Sequence, residues 1–286
     1  MTFVLGTRGS ALARAQAARV AARLGDDVEL RVVTTRGDES ARPLRELGDG
    51  SFVTALEDAL RRGDIDAAVH SLKDVPTDER PGLVVAAIPE RADPRDALIT
   101  RARGGLATLA PRARVGTGSP RRAAFLNALR PDVRCEDIRG NVDTRLGKVR
   151  GGEFDAIVLA LAGLRRLGID VAPEEILPLE VMPPAPAQTA LAVQCRADDV
   201  AARARLAAID DDSLRAATEC ERGVLRELGG SCDLALGAHA VSRDGVVHLE
   251  AALAIDGAIR RVHREGADPI TVARAAAEEL AGARVG

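Results

Sequence analysis

The chain contains no tryptophan and no tyrosine, and only four phenylalanines. Platforms on which nucleic-acid bases stack are therefore nearly missing. Excess charge of either sign is missing too, with 40 Lys and Arg against 43 Asp and Glu and a formal net charge of −3. No global basic field recruits nucleic acid, so no nucleic-acid partner is expected. No apolar run approaches the roughly 20 residues needed to span a bilayer, so no membrane partner is expected either. The N-terminus, Met1-Thr2-Phe3-Val4-Leu5-Gly6-Thr7-Arg8, has no basic segment followed by a long apolar stretch, and the cytoplasm is the expected compartment. The four cysteines, Cys135, Cys195, Cys220 and Cys232, form no CxxC pair, and the four histidines are scattered along the chain. That spacing points to neither a disulfide framework nor a metal site.

Lysine is scarce as well. Among the 40 basic residues only Lys73 and Lys148 are lysines. Against so strong a preference for arginine, a lysine beside Asp74 stands out from generic surface charge, because an ammonium is a point charge and a guanidinium a flat fork.

What is present suits a soluble globular protein: 286 residues, 46% hydrophobic and 29% charged, enough chain for two or three domains with separate cores. Residues 3–5 read as a short strand. Ser10 follows as an N-cap to a helix with Ala13, Ala17, Val20 and Leu24 on one face. Residues 28–34 alternate like a strand, and residues 36–51 read as a loop. Phe52, Leu56, Ala59 and Leu60 mark a helix, and residues 65–69 a buried strand leading into His70-Ser71-Leu72-Lys73-Asp74-Val75-Pro76.

A second block starts near residue 95. In Arg114-Val115-Gly116-Thr117-Gly118-Ser119-Pro120-Arg121-Arg122, Ser119 fits an N-cap and Pro120 the first helical position. Strands are expected near 133–138 and 154–159. The two blocks echo each other in order: Gly6-Thr7-Arg8-Gly9-Ser10 matches Gly116-Thr117-Gly118-Ser119, and Gly63-Asp64-Ile65-Asp66-Ala67-Ala68-Val69 matches Gly152-Glu153-Phe154-Asp155-Ala156-Ile157-Val158. This pattern predicts a duplication of two α/β domains with mainly parallel sheets, facing each other across a cleft at the strand C-terminal ends. A third block from about residue 212 opens with a helix carrying Leu214, Ala217, Glu221, Val224 and Leu228 and stopped by Gly229-Gly230. Strands at 233–241 and 246–255 around Ser242-Arg243-Asp244-Gly245, a hairpin turn at Asp256-Gly257, and a helix near 269–282 make it a small α+β domain.

Three groups of residues could carry chemistry. The first is the pair of helix N-termini with Arg8, Arg121 and Arg122, joined by Arg139 and Arg145 after a strand and by Arg165 and Arg166. Any one of these arginines is more simply a surface charge. As a set at strand ends they favour a ligand with several carboxylates. The second is Asp74, evenly balanced on spacing alone between a turn cap set with Pro76 and a carboxylate that stabilises a cation or relays a proton. The third is Cys232 in Gly229-Gly230-Ser231-Cys232, where the simpler reading, a small buried hydrophobe, is ahead of covalent chemistry.

At these residues the chain closely resembles the hydroxymethylbilane synthase family, also called porphobilinogen deaminases. The resemblance runs nearly end to end. It covers Thr7-Arg8-Gly9-Ser10, Val33-Thr34-Thr35-Arg36-Gly37-Asp38, Ala68-Val69-His70-Ser71-Leu72-Lys73-Asp74-Val75-Pro76, Asp93-Pro94-Arg95-Asp96, Val115-Gly116-Thr117, Arg121-Arg122, Arg139-Gly140-Asn141-Val142, Thr144-Arg145 and Ala162-Gly163-Leu164-Arg165-Arg166-Leu167-Gly168.

The resemblance implies two periplasmic-binding-protein-like (type II) α/β domains with a central cleft, at 1–91 with 189–208 and at 92–188, and a small α+β third domain at 209–286. It implies a monomeric transferase of porphyrin biosynthesis that joins four porphobilinogen molecules, with loss of ammonia, into the linear tetrapyrrole hydroxymethylbilane. Synthesis is primed by a dipyrromethane cofactor held through a thioether, and Cys232 matches that cysteine. Asp74 matches the catalytic aspartate that contacts pyrrole N–H groups and stabilises cationic azafulvene intermediates. Arg8, Arg121, Arg122, Arg139, Arg145 and Arg166 match positions that hold cofactor or substrate carboxylates. Ser10, Ser71, Lys73, Thr117 and Ser119 match neighbouring polar contacts, Phe52 an aromatic beside the site, and Gln188 a glutamine in the segment returning to the first domain.

The chain departs from the family at several places. Gly118, Ser119 and Pro120 stand where two serines and a leucine are usual, and Ala187-Gln188-Thr189 replaces Gly-Gln-Gly, removing backbone freedom. The 44–52 loop is one residue short and lacks a frequent lysine. Asp233-Leu234-Ala235-Leu236 replaces a pattern containing proline. On the same scaffold, a protein that binds a polycarboxylate without covalent attachment is the competing expectation.

Overall fold

A computed structural model describes residues 2–34, 53–230, 234–255 and 257–282. The chain forms two compact units, Met1–Ala92 with Thr189–Ala216 and Asp93–Gln188 with Ala217–Gly286.

The first unit is built on a five-stranded sheet in the order β2-β1-β3-β9-β4, with β1 Phe3–Thr7, β2 Val28–Val32, β3 Ala67–Ser71, β4 Leu83–Ala87 and β9 Leu191–Arg196. β2, β1 and β3 run parallel and β9 runs antiparallel to both neighbours. Side-chain alternation sends Leu5, Val69 and Val193 to one face, where they join Ala17 and Val20 of helix α1 (Ala11–Leu24) and Leu206 of α6 (Val200–Ala207). The other face, with Ala68, is covered by Leu56, Ala59 and Leu60 of α2 (Thr54–Arg62). Gly6 sits under that helix, and a Cβ there would lie 2.4 Å from Ile65 Cδ1.

The second unit holds a four-stranded sheet, β5-β8-β6-β7, from β5 Asp96–Thr100, β6 Arg114–Gly116, β7 Arg134–Glu136 and β8 Ala156–Ala160. Here β7, β6 and β8 are parallel and β5 is antiparallel. Counting the first three parallel strands of each unit, the order second, first, third and then an antiparallel strand is the same in both sheets, as suits the repeated α/β halves that the sequence echo predicts. The echoing turns also correspond in detail. Ser10 Oγ accepts from Ala13 N at 3.2 Å and Ser119 Oγ from Arg122 N at 3.4 Å, each capping the helix that follows the first strand, α1 and α3 (Pro120–Leu129). Thr7 and Thr117 are both buried. A Cβ on Gly116 would lie 2.9 Å from Ile138, matching the crowding at Gly6. α4 (Val142–Arg150) precedes β8 as α2 precedes β3, and α5 (Leu161–Arg166) follows it.

The second unit also carries a three-stranded antiparallel sheet of β10 Leu236–Arg243, β11 Val246–Ile255 and β12 Ala258–Gly266. α7 (Asp212–Glu227) leads towards it, and positive φ at Gly229 and Gly230 follows the end of that helix. The first hairpin turns at Asp244-Gly245, both with φ > 0, so its strands extend further into the expected Ser242–Gly245 turn than the spacing predicts. α8 (Pro269–Gly282) buries Val272, Ala273, Ala276, Ala277 and Leu280. The sheet face carrying the buried Val247, Leu249 and Leu253 also carries Arg264, which pairs with Glu279 of α8.

Candidate active site

Asp74 stands in a single 3-10 turn, Leu72–Asp74, that follows β3 directly. β3 is buried along its length up to Ser71, so the turn begins from a rigid base. Leu72 N–H donates to Ala190 O at 2.9 Å and Leu72 is itself buried, which anchors the turn and leaves Asp74 exposed. Lys73 is half-buried beside it. Among the described residues none donates a hydrogen bond to the Asp74 carboxylate, and it caps no helix. Ser71 Oγ accepts from Gln16 Nε2 at 3.0 Å, so α1 fixes the last side chain of β3.

A largely buried polar chain starts at His70 in β3, just before this turn. His70 Nε2 lies 3.1 Å from Gln194 Oε1, Gln194 Nε2 donates to Glu57 Oε1 at 3.2 Å, and Arg80 Nε donates to Glu57 Oε1 at 2.8 Å. Ionised Glu57 can only accept, so the Gln194 amide must turn its NH2 towards Glu57 and its oxygen towards His70. His70 therefore carries its proton on Nε2. Burial pushes the His70 imidazole down to about 4, with the Arg8 charge adding to the effect. Arg8 is half-buried in the turn after β1.

In the second unit the arginines gather on one buried carboxylate. Asp96, at the start of β5, accepts from Arg121 Nη2 and Arg122 Nη2 at 2.7 Å each and from Gln188 Nε2 at 2.9 Å. Burial opposes its charge, but the Arg122 and Arg121 guanidiniums outweigh that and hold the carboxyl well below the usual range. Arg121 also donates to Pro183 O, Arg122 to Val158 O at 3.1 Å, and Gln188 to Pro94 O at 2.8 Å. Thus the Arg121-Arg122 pair and Gln188 form a single cluster around Asp96, which is not among the residues expected to carry chemistry. Asp96 belongs to the segment Asp93-Pro94-Arg95-Asp96, but its partners are 25, 26 and 92 residues away. Gln194 had its own signal, a lone amide in the otherwise apolar run Leu191-Ala192-Val193-Gln194-Cys195.

The cluster carries positive charge in excess. Arg145, in α4, donates through Nε to Gly140 O at 2.8 Å. Its own charge is disfavoured by burial and by the Arg122 and Arg139 guanidiniums, which together bring it down to about 10. Arg139 Nε lies 3.6 Å from Asp137, too far for a hydrogen bond. The Nε atoms of Arg121, Arg122 and Arg139 are buried and find no acceptor among the described residues. Buried donors without acceptors, in a site that already holds too many cations, fit a group bearing several carboxylates.

Other predicted residues have different surroundings. Thr117 Oγ1 accepts from Ser119 N at 3.2 Å, so Thr117, Ser119 and Ser10 are occupied in shaping helix N-termini. Arg166 ends α5, half-buried. Cys232 and Phe52 lie outside the described residues. Cys135, Cys195 and Cys220 lie in strands or a helix as expected, and burial pushes the Cys135 thiol up to about 11 and the Cys220 thiol up to about 12. These thiols stay protonated, so neither is a ready nucleophile. Ala187 and Thr189 adopt φ of 60° and 71°, in the left-handed region that favours glycine. Ala187 N–H donates to Glu221 at 2.6 Å and Thr189 Oγ1 to Ala92 O at 2.6 Å. Ala and Thr are strained in this conformation.

A family model described as "Porphobilinogen deaminase, dipyromethane cofactor binding domain" matches residues 3–204. A porphobilinogen deaminase of Corynebacterium diphtheriae is 45% identical over 98% of this chain and 95% of its own length. One from Leifsonia xyli is 48% identical over 97% and 87%, and porphobilinogen deaminase 1 of Streptomyces coelicolor is 50% identical over 82% and 76%. Among solved structures, the methionine-binding protein MetQ is 14% identical with a TM-score of 0.46, covering 73% of this chain and 90% of its own. A periplasmic substrate-binding protein of an ABC transporter from Coxiella burnetii also scores 0.46 at 14% identity, over 72% of this chain and 91% of its own.

Proposed function

The chain belongs to the porphobilinogen deaminase family, and we propose that it performs the family's reaction, the deaminating condensation of four porphobilinogen molecules into hydroxymethylbilane, with Asp74 as its central carboxylate and Cys232 as the covalent anchor. The chain is a transferase of tetrapyrrole synthesis with a dipyrromethane-cofactor-binding domain. The observation that carries the assignment of roles is the set of unsatisfied arginine donors in the second unit. Each pyrrole ring brings an acetate and a propionate, and these are acceptors of the kind that the Nε atoms of Arg121, Arg122 and Arg139 lack.

The dipyrromethane supplies the pyrrole carbon to which the first substrate is joined. Arg121, Arg122, Arg139 and Arg145 would hold its carboxylates, with Asp96 and Gln188 keeping Arg121 and Arg122 in place. Arg8 and Arg166 are further carboxylate holders, and Ser10, Ser71, Lys73, Thr117 and Ser119 their polar neighbours. Asp74 presents an exposed carboxylate on a fixed turn. It can accept from pyrrole N–H groups and oppose the positive charge that develops on a ring as ammonia leaves, and a fixed anion does so without reorganising. Lys73 beside it adds a second charge that the background of arginine does not explain. The working form is a cytoplasmic monomer acting on porphobilinogen.

One experiment separates this reading from a binding protein on the same scaffold. The purified protein is weighed intact and then incubated with porphobilinogen while ammonia is measured. The expected result is the mass of two linked pyrroles on the chain, lost in Cys232→Ser, together with ammonia release. Porphobilinogen bound with no ammonia released, on a chain of unmodified mass, would establish the binding protein instead.

A further inference from the structure

The four histidines are scattered in sequence, but strand register gathers three of them. On β10, β11 and β12 the cross-strand partners are His239 with Glu250, Glu250 with His263, and His248 with Glu265. Side chains alternate faces along a strand, so His239, His248, Glu250, His263 and Glu265 all project from the face opposite the one that carries Val247, Leu249 and Leu253. On β11 and β12 they form a square in which His and Glu alternate at the corners. The fourth histidine, His70, is buried in the other unit.

The side chains of three corners converge. The ligand atoms of His248, His263 and Glu265 lie within 4.8 Å of one another, and His248 Nδ1 is 3.0 Å from Glu265 Oε2. All three are accessible: His248 is half-buried, and His263 and Glu265 are exposed. His263 also borders a groove of about 370 Å³ that passes His239, Glu250 and Arg261.

We propose that His248, His263 and Glu265 form a binding site for a divalent transition-metal ion of the Zn²⁺ class, clamping β11 to β12. Two imidazole nitrogens and one carboxylate oxygen are the donor set of open zinc sites, where water takes the fourth position. Metal–ligand bonds of about 2.0–2.2 Å would bring tetrahedral ligand atoms to roughly 3.4 Å of one another, so rotation of these accessible side chains by about an ångström closes the site. Imidazole donors favour Zn²⁺, Cu²⁺ and Ni²⁺ over Mg²⁺ and Ca²⁺, which take oxygen cages. Glu250, opposite His263, adds negative charge beside the ion. Arg243 and Arg261 lie on the same face, and Arg261 is engaged with Glu180 O at 2.6 Å. None of the ligands belongs to the proposed catalytic machinery.

The test uses the tag-free holoprotein. Zn²⁺ is titrated in competition with a chromophoric chelator, and Mg²⁺ serves as the control metal. One Zn²⁺ per chain is expected, with a Kd on the order of micromolar. His248→Gln and His263→Gln should each weaken it about tenfold or more, the double variant should abolish it, and Cys135→Ser should leave it unchanged. Ammonia release without added metal should be the same in parent and double variant, showing that both are folded. With Cu²⁺, the electron paramagnetic resonance spectrum of the parent should show splitting from two nitrogens, absent from the double variant. A double variant that holds Zn²⁺ as tightly as the parent would overturn the proposal. So would a parent that binds no Zn²⁺ at about a hundredfold the expected Kd.

Discussion

Replacing Asp96 by asparagine would remove one negative charge from between two buried guanidiniums while keeping the shape of the side chain. The carboxylate accepts three hydrogen bonds, from Arg121, Arg122 and Gln188. An asparagine has a single side-chain oxygen. If that oxygen faces Arg122 and Gln188, its NH2 meets the Nη2 donor of Arg121. Asp96 is fully buried and the side chains of Arg121 and Arg122 are 3% and 10% exposed, so solvent cannot replace the lost charge. Removing one partner from a buried ion pair costs about 3–5 kcal/mol. For a unit of this size each kcal/mol moves the melting temperature by about 2–4 °C, so the second unit should melt lower by on the order of 10 °C. The acid limb gives an independent sign. The folded carboxyl is held well below the ordinary aspartate value of about 4, so below that value the unfolded chain binds a proton that the folded chain does not. The stability contributed by Asp96 is therefore complete above about pH 4 and drains away as pH falls further, and Asp96→Asn should flatten that limb. Scanning calorimetry across pH, paired with ammonia release, measures both. An Asp96→Asn protein that melts with its parent at neutral pH, with the same acid limb and full turnover, would refute the role of Asp96 as shared counter-ion.

Asp74→Asn should lower kcat by about 10²–10³-fold, the loss expected when a preorganised charge is removed from the reacting centre, with the melting temperature unchanged because the side chain is exposed; undiminished turnover would take Asp74 out of the chemistry. Arg145→Met keeps the apolar stem and removes a charge that its neighbours disfavour. Its melting temperature should hold or rise while ammonia release falls, and a loss of both would show that the guanidinium is structural. Ala187→Gly should stabilise by about 0.5–1 kcal/mol, since it relieves about 1–2 kcal/mol of left-handed strain and returns about 0.4–1 kcal/mol of unfolded-chain entropy. Thr189→Gly also loses the hydrogen bond to Ala92, worth about 1 kcal/mol, so denaturant titration should find it close to neutral.

The parts of this molecule that follow local rules could be read from the chain. The caps at Ser10 and Ser119, the end of α7 before Gly229-Gly230 and the helix at Pro269–Gly282 each depend on a few adjacent residues. The duplication could be read because two separate motifs recur in one order, and the sheets repeat it. Asp74 was placed at a strand end correctly, since a buried apolar run followed by Leu72-Lys73-Asp74-Val75-Pro76 leaves the carboxylate little choice but to turn outwards. The rest depended on residues distant in sequence. Nothing within ten residues of Arg121 or Arg122 identifies Asp96 as their partner. The histidines of the third sheet form no linear motif, because cross-strand neighbours are set by hairpin register. The left-handed backbone at Ala187 and Thr189 was not legible, since neither residue type announces a positive φ.

The buried chain His70–Gln194–Glu57–Arg80, which starts in β3 just before the Asp74 turn, ties the stability of the first unit to acid. A histidine near the surface would charge gradually below neutrality and drag its neighbours with it. His70 stays neutral until about pH 4 while the protein is folded, and the Gln194 amide is held by a partner that can only accept. The unfolded chain takes up that proton near pH 6.5, so acid drains stability from the first unit over the intervening range. Over that range His70 gains no charge in the folded protein, so the loss falls on the balance between folded and unfolded chains.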